Sequence, residues 1–172
     1  MVKAILDGRK TMTRRVVKPQ PIAGGVDEMP LVQISGGKLA AVQKGKCPYG
    51  QVGDRLWVRE TWYCDDYTTA QDIMSRGEGL YYRAAEKHPE IFYKWKPSVF
   101  MPRWASRITL EIIDVRVERL QDITEEDAIK EGVTLTGETF YESFFRLWNK
   151  INGKKYPWAS NPWVWCISFK RV

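Results

Sequence analysis

The chain has 172 residues, with 27 lysines and arginines against 21 aspartates and glutamates, a formal net charge of +6. A chain of this length reads as one domain that buries roughly 70% of its unfolded surface, without needing a disulfide or metal to hold it. Cys47, Cys64 and Cys166 stand far apart, no Cys-x-x-Cys occurs and His88 is the only histidine, which argues against a structural zinc site and a disulfide framework.

That cysteine usage suits a reducing cytoplasm. Met1-Val2-Lys3 does not open a signal peptide, and no apolar run approaches the ~20 residues that span a bilayer. No cofactor is expected. The positive balance favours an anionic partner such as RNA, DNA or a nucleotide. Aromatic residues make up 13% of the chain, with eight tryptophans, which suits base stacking and equally the core of a small barrel.

In chain order, Met1 to Leu6 predicts one or two helical turns, closed by Gly8 at positive φ. Arg9, Lys10, Thr11, Thr13, Arg14 and Arg15 follow, four cations and two hydroxyls in seven positions. A helix end, a glycine and a dense set of donors present side chains to an anion. The same residues also read as a solvated basic turn. Val16 and Val17 carry the chain into a strand. Lys18-Pro-Gln-Pro21 breaks it, and Leu31 to Ile34 and Lys38 to Gln43 read as a hairpin around Ser35-Gly-Gly37.

Arg55 to Trp62 is the strongest predicted strand, with Leu56, Val58 and Glu60 on one face and Arg55, Trp57, Arg59 and Thr61 on the other. Trp57 and Arg59 border a pocket or form the outside of an amphipathic barrel strand. Glu60 shares an apolar face and needs a partner there, with Arg14 or Arg15 as the expected ones. Tyr63 to Glu78 reads as a polar loop and Leu80 to Arg83 as a short strand. From Trp95 to Arg107 aromatic and basic residues alternate around prolines, which argue against regular structure. This loop lays Arg103 and Trp104 against a base or phosphate, or is held down by its own aromatics.

Arg107 to Arg119 predicts a long strand with a bend near Asp114. Thr124 caps a helix with Asp127 at its third position in a capping-box-like pattern. That helix ends at Glu131-Gly132, where a carboxylate opposes the helix dipole and so hints at function. Glu138 to Ile151 predicts a second helix with Phe140, Phe144, Leu147, Trp148 and Ile151 as core, ended by Asn152-Gly153. Trp163 to Phe169 is a closing strand with Trp163, Trp165, Ile167 and Phe169 on one face.

Gly8-Arg9-Lys10-Thr11-x-Thr13-x-Arg15 resembles the G-x-K-x-x-(T/E)-x-R signature of the ASCH domain. The match is closest to the branch carrying ILxGRKTxTxR, which includes small bacterial N4-acetylcytidine amidohydrolases. The chain is also similar to longer phage and prophage proteins of that superfamily. Gly53-Asp54-Arg55-Leu56-Trp57-Val58 resembles the family's G-D-x-L-x-V strand start, and Ile123 to Gly132 its helix ending in A-x-x-E-G. The resemblance implies an α+β fold, a PUA-like small mixed β-barrel with flanking helices. Residues 1–172 would form a single domain with insertions around 19–52 and 63–106. It also implies a strand ahead of the first helix, where Met1 here sits almost on the helix.

In the amidohydrolase branch the resemblance implies a lysine base, a threonine nucleophile and a glutamate proton donor, which fall on Lys10, Thr13 and Glu131. Gly8, Arg9, Arg14, Arg15, Trp57, Arg59, Glu60, Arg103 and Trp104 are the candidate nucleic-acid or substrate-binding residues. A threonine hydroxyl needs a base. An unperturbed lysine, with a pKa of about 10.4, is neutral in roughly one copy in 2,500 at pH 7. Burial or repulsion from Arg14 and Arg15 would have to bring it to about 7 to 8, against the pull of a nearby Glu131. If it stays charged, the same residues make an anion site. A regular strand puts Thr13 and Arg15 on one face and Lys10 on the other, so Lys10 must lie in the turn after Gly8 to meet Thr13.

The reading at this stage is recognition of a nucleic acid or nucleoside by a PUA-like pocket, with amidohydrolase chemistry on a modified nucleoside where Lys10 can act as base. The alternatives are a non-catalytic RNA-binding module using Arg15, Arg103 and Trp104, and a ribonuclease. The expected partner is RNA, a nucleotide or a modified nucleoside, and not a membrane.

Overall fold

A computed structural model describes residues 1–21, 31–33, 39–41, 47–64, 79–85 and 94–172. Within these the elements are α1 (Val2–Leu6), β1 (Met12–Val16), β2 (Leu31–Gln33), β3 (Leu39–Ala41), β4 (Arg55–Trp57), β5 (Trp62–Cys64), β6 (Leu80–Tyr82), β7 (Thr109–Arg119), α2 (Glu125–Lys130), α3 (Phe140–Asn152) and β8 (Trp163–Arg171). The fold is mixed α+β, with a curled antiparallel sheet of order β1-β8-β7-β4 forming a half-barrel. Contacts divide the chain into two compact units. One is Met1, Lys3–Arg55 and Glu111–Lys170; the other is Val2, Leu56–Leu110 and Arg171–Val172.

In the first unit β1 runs antiparallel to β8, from Met12 opposite Ser168 to Val16 opposite Val164. Trp163, Trp165, Ile167 and Phe169, on one face, are buried, and Val164 and Cys166 on the other face are buried as well. A near-continuous apolar run fits a strand covered on both sides. Val164 and Cys166 join Val16, Leu120, Ala128, Phe144, Trp148 and Trp158 in one core cluster. Along β7 the buried positions are Leu110 and Ile112, then Val115. The inward face therefore changes phase between 112 and 115, around the bend expected near Asp114.

Thr124 accepts a hydrogen bond from the Asp127 amide at 3.2 Å and so caps α2. The reciprocal half of a capping box is replaced, because the Asp127 carboxylate turns to Arg14 and Arg116 instead. Thr139 caps α3, and Glu125 adds its carboxylate to the Phe140 and Tyr141 amides at 2.7 and 2.9 Å. An acceptor and a negative charge both favour that helix end. The expected five-residue core of this helix is corrected: Phe144 and Trp148 are buried, but Leu147 is 39% and Ile151 69% exposed. The stripe that α3 buries is the narrow i, i+4 row, and the flanking row stays outside it.

The hairpin forms as β2 and β3, with Leu31 opposite Ala41 and Gln33 opposite Leu39. Its Ser35-Gly-Gly37 turn lies outside the described residues, as does most of the Tyr63 to Glu78 loop.

The strand expected from Arg55 to Trp62 ends early, at Trp57, and the chain resumes as β5 paired with β6. In the second unit the groups between them are taken by residues 101–108. The Val58 amide donates to Ile108 O at 3.0 Å, Ser106 Oγ donates to Val58 O at 2.9 Å, and the Glu60 amide points at Met101 Sδ at 3.2 Å. The 97–105 stretch is more regular than its prolines suggest. Pro97 and Pro102 each precede a 3₁₀ turn, Ser98–Phe100 and Arg103–Ala105. Proline's fixed φ suits the start of such a turn.

Candidate functional site

The site is built where the end of α1 meets the end of α2. Gly8 has φ +73°, and the chain then turns so that the Lys10 amide donates to Ala4 O at 2.8 Å. Lys10 and Glu131 form an isolated antiparallel bridge, supported by the Thr11 amide donating to Lys130 O at 2.8 Å. This approach depends on Gly132. Its φ is +71°, and a Cβ there would lie 2.6 Å from Lys10 Cβ and 3.1 Å from Ala4 Cβ. A side chain at 132 would push the two segments apart.

The bridge places the Lys10 side chain inward. Nζ donates to Glu131 Oε2 at 2.7 Å, to Glu131 O at 2.8 Å and to Met12 O at 2.8 Å, with both side chains only 7% exposed. Three acceptors use all three donors of an ammonium. Glu131 Oε1, by contrast, is buried and receives no hydrogen bond from a described residue; Arg14 Nη1 stands 3.6 Å from it. A buried carboxylate oxygen without a donor is costly and calls for an explanation.

Arg14 lies deeper and its side chain is fully buried. Nε donates to Glu118 Oε1 at 3.1 Å and Nη2 to Asp127 Oδ2 at 2.7 Å, while Arg116 bonds Glu118 Oε2 at 2.8 Å and also reaches Asp127. Burial works against the Arg14 charge, but the surrounding negative groups outweigh it and hold the guanidinium above its ordinary range. Burial also pushes the Cys166 thiol up, with Arg14 opposing this and Glu118 adding to it. The thiol is inert as a nucleophile at neutral pH.

Burial alone raises the Glu118 carboxyl, yet its bonds to Cys166, Arg116 and Arg14 bring it below the ordinary value of 4.5. A carboxylate depressed by folding stabilises the fold above its unfolded pKa, and that contribution fades as pH falls through the lower folded value. Glu118→Gln is therefore expected to be less stable than the parent at pH 7, with the gap narrowing in acid below about pH 4.5. Denaturant midpoints across the acid range check this, and a gap that stays constant would refute it.

Lys10, Thr13, Arg14, Arg15 and Glu131 together line one cavity of about 330 Å³, whose apolar wall includes Phe144, Leu147, Trp148 and Ile151. This volume is at the low end for small-molecule sites. Thr13 is half-buried, and no described residue hydrogen-bonds its hydroxyl. Arg15 is exposed and pairs with no described carboxylate. The cavity is thus lined by a hydroxyl, a cation and an apolar wall, with the Glu131 carboxylate group among its lining residues.

The remaining candidates fall elsewhere. Arg9 pairs with Asp7 at 3.1 Å on the surface, and neither it nor Gly8 lines the cavity. Trp57, Arg59, Glu60, Arg103 and Trp104 belong to the second unit. Glu60 is buried as its strand face implies, but its partner is Arg107, at 2.9 and 3.0 Å in a two-pronged pair, rather than Arg14 or Arg15. Both oxygens are taken by Arg107. Asp127, Glu118 and Arg116 were not among the sequence candidates. Their signal was a set of charges inside or next to apolar elements.

No protein-family model, curated protein or solved structure matches the chain. Among the described residues no helix is long and apolar enough to cross a membrane.

Proposed function

We propose that the chain is an ASCH-type protein with a PUA-like barrel whose cavity recognises a nucleoside or a single nucleic-acid base. The observation that carries this reading is the meeting of Lys10, Thr13 and Glu131 at one cavity, with Glu131 Oε1 lacking a donor. A base supplies what is missing. With the Glu131 carboxylate turned toward the cavity, an amino or imino N–H of the base's edge satisfies Oε1, and its carbonyl accepts from the Thr13 hydroxyl. Its flat face covers the apolar wall, and Arg15 meets a ribose or phosphate at the rim.

Amide hydrolysis is the second reading, favoured by the short Lys10–Glu131 contact of 2.7 Å. One proton moved along it converts ammonium and carboxylate into an amine base and a carboxylic acid. Thr13 Oγ would then attack the amide carbonyl carbon, its proton passing to Lys10 and a proton from Glu131 going to the leaving amine. A water would next cleave the Thr13 ester, giving its proton to Glu131 while Lys10 returns one to Thr13 Oγ, which releases the acid. The hydrogen bond must open for this to happen, so recognition ranks first.

Calorimetric titration with cytidine, N4-acetylcytidine and a nucleoside monophosphate, with product analysis by chromatography, tests both. Glu131→Gln should weaken binding roughly 5- to 150-fold, the effect of mispairing one buried polar contact. Any turnover should vanish in Thr13→Ala and in Lys10→Met. If none of these compounds binds even at millimolar concentration, the reading is wrong.

A further inference from the structure

β1 is the outer strand in the order β1-β8-β7-β4. The Phe169 amide donates to Thr11 O at 2.8 Å and the Val17 amide to Trp163 O at 3.0 Å. In the antiparallel register such bonds fall on every second residue, here Thr11, Thr13, Arg15 and Val17. The amides and carbonyls of Met12, Arg14 and Val16 therefore point away from β8. Met12 O is taken by Lys10 Nζ at 2.8 Å. No described residue bonds the backbone of Arg14 or Val16 on that side. Arg14 as a whole is 5% exposed although its side chain is 0% exposed, so the part that solvent reaches is its main chain.

An apolar helix row lies beside this edge. Val16 shares a core cluster with Phe144 and Trp148, so α3 covers the sheet face on which Arg14 and Val16 fall. Leu147 and Ile151 form the next i, i+4 row of α3 and are 39% and 69% exposed. Both line the same cavity as Arg14, Arg15 and Val16. Alternation puts Arg15 on the opposite face, exposed and without a described carboxylate. A strand edge with unused main-chain groups, next to an apolar helix row, is the setting in which an extended segment adds to a sheet. Main-chain bonds then hold the segment, and its alternate side chains go to the two faces.

We infer that the β1 edge takes up an extended peptide whose side chains alternate between apolar and acidic. The apolar ones lie against Leu147 and Ile151, and a carboxylate meets Arg15 on the other face. A second copy of this chain fits worse, because β1 beside β1 brings the two Arg15 side chains onto one face, and like charges on neighbouring strands repel. A nucleic acid has no row of backbone N–H and C=O groups to match the edge. The inference rests on the strand edge and the helix row, not on the nucleoside reading. The two ligands share the cavity and would compete for it.

The test uses the full chain, isotope-labelled, and a fluorescent heptapeptide of alternating glutamate and valine. Half-saturation by anisotropy is expected below about 1 mM, and the Arg14 and Val16 amides should gain protection from hydrogen exchange. Ile151→Asp should weaken binding at least about tenfold, since it sets a charge against the apolar side chains and repels the glutamates. Arg15→Ala should weaken it about 2- to 5-fold, with a smaller salt dependence. Both changes are at exposed side chains, and circular dichroism verifies that the variants fold. N-methylating one alternate set of peptide amides should abolish binding and methylating the other should not, because only every second residue of an added strand bonds the edge. The inference is overturned if a heptapeptide of the same composition with its valines in one block binds as tightly, if the two methylated sets behave alike, or if Ile151→Asp has no effect. It is also overturned if the Arg14 and Val16 amides are already protected in the free chain, by its own residues or a second copy, or if cytidine protects them as well as the peptide does.

Discussion

Arg14→Met is expected to lower stability by about 3 to 5 kcal/mol, the usual result of removing one member of a buried ion cluster. The side chain is fully buried, and it holds Glu118 and Asp127 while also standing 3.6 Å from Glu131. Methionine matches much of its length, so the loss is chiefly electrostatic. Glu118 and Asp127 would each keep Arg116, but that side chain is 31% exposed and its bonds are more open to water. At roughly 2 to 4 °C per kcal/mol for a chain of this size, the melting temperature should fall by about 6 to 20 °C. Arg14→Lys should lie in between, because it restores the charge without the fork that bonds two carboxylates at once. Thermal unfolding followed by circular dichroism at pH 7 measures this. An Arg14→Met melting temperature within a degree or two of the parent would mean that the cluster does not hold the fold.

How much of this was readable beforehand depends on the range of the interaction. Gly8 and Gly132 were legible because a local conformation demands them: both sit at positive φ, where a side chain is strained. Thr124 was legible as a cap for the same reason, since its partner is three residues away. The burial of Glu60 followed from the period of its strand, but its partner did not. Arg107 is 47 positions away, and only the path of residues 101–108 across the backbone of 58–60 brings it there.

Arg14 shows the same limit from the other side. Its residue type suggested an anion site, whereas its position opposite Cys166 turns it into the protein interior, toward Glu118 and Asp127. Cross-strand register decides this, and composition carries no record of register. The cavity wall was missed because helical spacing marks Leu147 and Ile151 as apolar without saying whether a neighbour covers them.

The second large effect concerns Lys10 and Glu131. Lys10→Met leaves a buried carboxylate, and Glu131→Leu leaves a buried ammonium, so each alone should cost about 3 to 5 kcal/mol. The double variant should be more stable than the sum of the two losses predicts, by roughly 1 to 3 kcal/mol, because neither charge is then stranded. It should still fall short of the parent. Lys10 also satisfies the carbonyls of Met12 and Glu131, and both lose their donor whenever the amine is gone. Each such loss costs about 1 to 3 kcal/mol. Denaturant unfolding of all four proteins closes the cycle, and strict additivity would show that the 2.7 Å pair carries no coupling. The same variants bear on function. Glu131 Oε1 receives no hydrogen bond from a described residue. A ligand bringing an N–H to that oxygen should raise the melting temperature of the parent and leave the double variant unmoved.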